Sequence, residues 1–144
     1  MSPRFAAAVN AVLVVAVVVW NYWTAAVGFR GKTVGGLSDA YDTLFTPAGY
    51  AFSIWGLIFL GQIVHAGYQI RLAFGESADE RDAFFREVGP WLLVTNVLNI
   101  VWTAVWLGAW TATSVAILSG MNVCLFVAMR RLRMEVWDAP LRII

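Results

Sequence analysis

Four long apolar stretches divide this chain, at roughly residues 5–28, 47–70, 90–110 and 112–129. Each is close to the ~20 residues that a helix needs to cross a bilayer. Between them lie a glycine-rich connection, Phe29 to Thr46, and a charged one around residues 71–89. The link between the third and fourth stretches is nearly absent, which predicts a tight antiparallel hairpin. The pattern therefore predicts an all-α integral membrane helical bundle with four transmembrane helices, in a single transmembrane domain over residues 1–144. The first stretch opens with Arg4 and runs to Thr24-Ala25-Ala26, a pattern shared with secretory leaders. Its apolar run exceeds the usual 7–15 residues of a leader and ends in Trp20-Asn21-Tyr22-Trp23, so a retained helix is expected.

Composition strengthens this picture. The chain is 60% hydrophobic and 13% charged, against about 25% charged for a soluble domain. A net charge of +1 gives no footing for a nucleic-acid partner. One cysteine, Cys124, and one histidine, His65, allow neither an internal disulfide nor a dedicated metal cage. With four spans, the N-terminus, the 71–89 connection and the C-terminal tail share one side. That side carries Arg4, Arg71, Arg81, Arg86, Arg130, Arg131, Arg133 and Arg142, and the other only Arg30 and Lys32. The positive-inside rule then predicts cytoplasmic termini, with the bacterial inner membrane as the expected location. In the charged connection, Ser77-Ala78-Asp79-Glu80 has a capping-box pattern, followed by Phe84, Phe85 and Val88. A short helix on the membrane surface and a solvated loop fit it equally.

Sorting aromatic and polar residues by depth adds candidate chemistry. Trp91 and Trp110 are 19 residues apart, about 28 Å along a helix, and suit the two bilayer interfaces. Trp20 and Trp23 suit an interface too. Tyr50, Phe52 and Trp55 on the second helix fall in the same leaflet as Trp102 and Trp106 on the third, beneath the glycine-rich connection. Asp39 and Asp42 of that connection are candidates for polar groups at a pocket mouth. Thr95, Asn99, Trp102 and Trp106 are spaced to share one helix face. Two readings stand: Asn99 joins two helices while the indoles fill space, or the indoles hold a flat hydrophobic ligand that an amide orients.

Gln62 and His65 lie toward the other end of the second helix. His65 is a candidate axial ligand for haem or chlorophyll, or simply a hydrogen-bonded histidine. On the fourth helix, Ala112, Ala116, Gly120, Cys124 and Ala128 recur every four residues. Such a stripe admits a close helix neighbour, either in the same chain or in a second protomer. Catalytic candidates are lacking, since acidic residues occur only in connections and tail. A binding protein is expected rather than an enzyme.

Two segments carry a family resemblance. Thr46-Pro47-Ala48-Gly49-Tyr50-Ala51-Phe52-Ser53-Ile54-Trp55 resembles the proline-rich, aromatic opening of helix two in the TspO/MBR family, the tryptophan-rich sensory proteins that include the translocator protein, or peripheral benzodiazepine receptor. Asn99 to Gly108 is similar to that family's helix-three motif, in which a Trp follows an Asn by three residues. The resemblance implies a five-helix membrane bundle, commonly dimeric, that binds porphyrins, sterols or synthetic aromatic ligands on the side of the first long loop. It places Asn99 and Trp102 at the pocket, with Tyr50, Phe52 and Trp55 at the aromatic opening. Pro47-Ala48 departs from the family's double proline, Ser114 falls where some members carry a further tryptophan, and a fifth helix has no counterpart before Ile144.

The resulting expectation is a membrane-embedded sensor, carrier or transporter for a flat hydrophobic ligand, a tetrapyrrole such as haem, another porphyrin or a (bacterio)chlorophyll. Its ligand-binding residues would be Tyr50, Phe52, Trp55, Asn99, Trp102 and Trp106. No cofactor is required. The expected partners are lipid, the small molecule, and a second copy or a membrane complex. The alternative is an accessory subunit of a larger membrane assembly, such as a pigment–protein complex.

Overall fold

A computed structural model describes residues 2–41, 49–75 and 84–132. Helix α1 spans Pro3–Ala26, the short α2 Val34–Asp39, α3 Ile54–Phe74, α4 Gly89–Leu107 and α5 Thr111–Arg131. A 3-10 turn, Gly49–Ser53, leads into α3, so the regular helix starts several residues after the apolar stretch does. Pro47, Asp42, the Ser77–Glu80 pattern and the tail with Trp137 lie outside the described residues. Four segments are long and apolar enough to cross a membrane: Pro3–Ala26, Tyr50–Phe74, Gly89–Leu107 and Thr111–Arg131.

The long helices pack in the order α3, α1, α4, α5, each principally on the next. Helix α1 is thus flanked on both sides, and its sequence shows how. Ala7, Asn10, Val14, Val17, Asn21 and Thr24 are all buried and alternate in steps of three and four, the spacing of a helix-packing seam. Val12, Val15 and Val19 point outward. The polar side chains of this seam face in and the outward residues are apolar, the arrangement suited to a hydrocarbon solvent. Helix α4 answers with Thr95, Asn96, Asn99, Trp102 and Thr103 on its buried face.

Two polar knots tie these helices together. Asn10 Nδ2 donates to Gln69 Oε1 at 3.0 Å, and Asn96 Nδ2 donates to Asn10 Oδ1 at 2.8 Å, joining α3, α1 and α4. Nearer the other end, Asn21 Nδ2 donates to Asn99 Oδ1 at 2.9 Å, and Thr103 Oγ1 donates to Asn21 Oδ1 at 3.1 Å. An amide left unpaired in hydrocarbon is costly, so these pairs fix the rotation of each helix as well as its contact.

The two ends of the bundle differ. At the end that holds Arg4, Arg71 and Arg131, residues 84–87 are helical. Phe85 there is buried with Ala6, Ala7 and Ala73. Glu87 accepts hydrogen bonds from Arg131 and Arg86, which hold its carboxyl below the ordinary range. Arg131 also lies 5.9 Å from the ring centre of Trp91, so the start of α4 and the end of α5 are clipped together.

At the opposite end, α4 turns into α5 through three residues. Ala109 N–H bonds Trp106 O at 2.8 Å and Trp110 N–H bonds Val105 O at 3.2 Å, the pair that defines a Schellman stop. The left-handed position of that motif, usually glycine, is filled by Ala109 at φ 61°. A left-handed non-glycine residue costs about 1–2 kcal/mol, part of which a glycine gives back through its freer unfolded chain. Ala109→Gly is therefore expected to stabilise the protein by up to about 1 kcal/mol, read as a higher thermal midpoint in detergent. No gain would mean that the turn is not strained.

A candidate ligand chamber beneath the first loop

Residues 27–41 fold over the end of the bundle opposite the arginines. Phe29 and Lys32 exchange backbone hydrogen bonds, Phe29 N–H to Lys32 O at 2.8 Å and Lys32 N–H to Phe29 O at 3.1 Å. Between them Arg30 and Gly31 take φ values of 54° and 75°, as a two-residue turn of type I′ requires. Thr33 then caps α2, its Oγ1 accepting from Gly36 N–H at 3.1 Å. Two ring contacts pin the loop: Phe29 meets Trp20 edge-on at 5.6 Å, and Tyr41 packs on Trp106 at 6.5 Å.

Under this loop lies a cavity of about 500 Å³, inside the usual range of about 300–1,000 Å³ for small-molecule sites. Thr33, Val34, Gly35 and Asp39 roof it; Phe52, Ser53, Trp55, Gly56 and Phe59 form one wall; Asn21, Tyr22, Ala25 and Trp102 form the other. Trp55 of α3 stacks on Trp102 of α4 with ring centres 5.4 Å apart and planes 26° apart. The stack bridges the two helices that flank α1. Trp102 is 7% exposed, and its indole N–H has no hydrogen-bond partner among the described residues.

The structure thus brings together three of the residues singled out in the sequence, Phe52, Trp55 and Trp102, and leaves the other three outside the lining. Tyr50 is 83% exposed, because the 3-10 turn swings it outward. Asn99 is 1% exposed and sits one layer behind the wall, bonded to Asn21. Asn21 is the amide that reaches the cavity. Trp106 supports the loop through Tyr41 instead.

Asp39 reaches the lining. Sequence reasoning placed Asn21 within an interface anchor and passed over Phe59. The signal for Asn21 was its spacing along α1, eleven residues (about three turns) from Asn10 and three from Thr24, a polar stripe in an otherwise apolar helix.

The remaining candidates lie elsewhere. His65 is half-buried on α3 beside Tyr68 and Phe84, at ring distances of 6.3 and 6.2 Å. Its Nε2 has no partner among the described residues. It borders an outward apolar groove with Leu57, Leu60, Gly61, Val64 and Tyr68. On α5, Cys124 and Ala128 are buried, and a Cβ at Gly120 would come within 3.8 Å of Leu98 on α4. Ala112 and Ala116 are exposed. The lower part of the small-residue stripe therefore serves the α4–α5 contact, while its upper part faces outward.

Four membrane-crossing helices with an aromatic chamber roofed by the first loop define a helical membrane protein of ligand-binding type. The chain belongs to the TSPO-like protein family, whose model matches residues 7–143. That membership makes it an integral membrane protein of a family associated with membrane-embedded ligand binding and sensing. No curated protein and no solved structure matches the chain.

Proposed function

We propose that the chamber binds a flat hydrophobic ligand of the tetrapyrrole class, and that the protein acts as its sensor, carrier or transporter. The observation that carries this reading is the Trp55–Trp102 stack set in the wall of a roofed cavity. Aromatic walls, a few polar groups and a closable roof are the features of a site for a planar apolar molecule. Asn21, through its Oδ1, is the wall's polar group that would orient it, and Asn99 holds Asn21 in place. The arginine-rich end faces the cytoplasm in this reading, so the chamber opens toward the outer leaflet of a bacterial inner membrane.

Titrating the purified protein with protoporphyrin, followed by tryptophan quenching, tests the site. Trp102→Ala is expected to weaken binding by about 1–2 kcal/mol, roughly five- to thirtyfold. Trp110→Ala is expected to leave it unchanged, because Trp110 is 65% exposed and away from the cavity. Equal affinities in wild type and Trp102→Ala would sink the assignment. The accessory-subunit reading draws on α3, which packs principally on α1 and turns Leu57, Leu60 and Val64 outward. Co-purification of a defined membrane complex in mild detergent would favour it.

A further inference from the structure

The chamber has a sign. Resting on the binding reading above, this deepens it from shape to charge. Among the described lining residues Asp39 alone carries a formal charge. Arg30 and Lys32 belong to the same loop but do not line the cavity, and Arg30 lies over the ring of Phe29 at 5.8 Å.

The walls add to this. Tyr22 meets Phe59 at 6.0 Å, Phe59 meets Trp55 at 5.8 Å, and Trp55 meets Trp102 at 5.4 Å. They form a continuous run of rings across α1, α3 and α4. Ring faces are electron-rich and attract cations. The amide at the wall offers no free donor, since both Nδ2 hydrogens of Asn21 are committed, to Val17 O and to Asn99 Oδ1.

We infer that the chamber selects flat aromatic ligands carrying positive charge at the end nearest the loop, over neutral or anionic molecules of the same shape, with Asp39 as the specificity-determining residue. Juxtaposing one roof carboxylate with these aromatic rings favours an organic cation twice, once by charge and once by cation–π attraction at the ring faces outside the Trp55–Trp102 stack. A tetrapyrrole in this chamber keeps its carboxylate side chains away from Asp39.

Three probes of one outline test it: N-methylacridinium, unprotonated acridine and acridine-9-carboxylate. Each is titrated by tryptophan quenching into protein held in nanodiscs of zwitterionic lipid, so that the bilayer itself does not sort them by charge. The cation is expected to bind about three- to tenfold more tightly than acridine, and the carboxylate most weakly. Asp39→Asn is expected to lower the ratio of cation to acridine affinity about threefold; retained acridine binding also shows that the roof still folds. Equal affinities for cation and acridine, or an undiminished preference in Asp39→Asn, overturn the charge inference while acridine binding keeps the chamber. Failure of every probe to bind overturns both.

Discussion

Asn21→Leu is expected to lower the stability of the bundle by about 2–3 kcal/mol. Leucine keeps asparagine's branched four-atom outline and is the larger residue, so no cavity opens; the loss is chiefly polar, and overpacking adds to it. Three hydrogen bonds go at once: Asn21 Nδ2 to Val17 O, Asn21 Nδ2 to Asn99 Oδ1, and Thr103 Oγ1 to Asn21 Oδ1. At about 0.6 kcal/mol each in a membrane bundle they sum to roughly 2 kcal/mol, and the Asn99 oxygen, left without its donor in a buried site, adds about 1 kcal/mol. Asn122→Leu is the matched control. Asn122 is exposed on α5 and, among the described residues, bonds only back to Leu118 O of its own helix, so its loss is expected to change stability by less than about 0.5 kcal/mol. Thermal unfolding of both variants in one detergent decides. If the two shift equally, the α1–α4 knot does not hold the bundle.

The contrast between those two asparagines also shows what was legible in the sequence. Helix existence was written in the long apolar runs, because hydrocarbon thickness sets a length that composition alone reveals. The convergence of Trp55 with Trp102 was legible too, since direction of travel and rise per residue fix depth. Which side of a helix looks inward was harder. In a membrane the outward face is as apolar as the core, so the hydrophobic pattern that orients a soluble helix is silent.

Polar spacing carries that information instead, and it was strongest along α1, where Asn10, Asn21 and Thr24 mark the seam. Asn99 illustrates the remaining gap. Its depth and face pointed to the chamber region, but its side chain is taken up by a residue 78 positions away, and no local pattern encodes that pairing. Tyr50 illustrates another. A 3-10 turn rotates residues by a third of a turn rather than by the α-helical step, so Tyr50 turns away from the cavity although its depth and the family resemblance put it at the aromatic opening.

Gly28→Val is expected to release the roof of the chamber and speed ligand dissociation about tenfold or more, with little change in the unfolding of the helices. Gly28 has φ 85°, in the left-handed region, and a Cβ there would sit 2.9 Å from the backbone oxygen of Lys32. The obstacle is backbone, so no side-chain rotation relieves it. It also blocks the hydrogen bonds between Phe29 and Lys32 that shape the type I′ turn.

The left-handed penalty alone is about 1–2 kcal/mol, more for a β-branched residue, which is enough to invert a roof held closed by a similar margin. Gly31→Ala separates strain from clash, since Gly31 shares a positive φ of 75° but has open space around it. It is expected to speed dissociation less than Gly28→Val does. The measurement is the rate at which tryptophan fluorescence recovers when bound protoporphyrin is captured by excess apo-globin. A Gly28→Val rate equal to wild type would mean that the loop covers the chamber without closing it. A faster rate in both variants, ordered Gly28→Val above Gly31→Ala, makes the shape of this turn, and not merely its presence, the determinant of ligand retention.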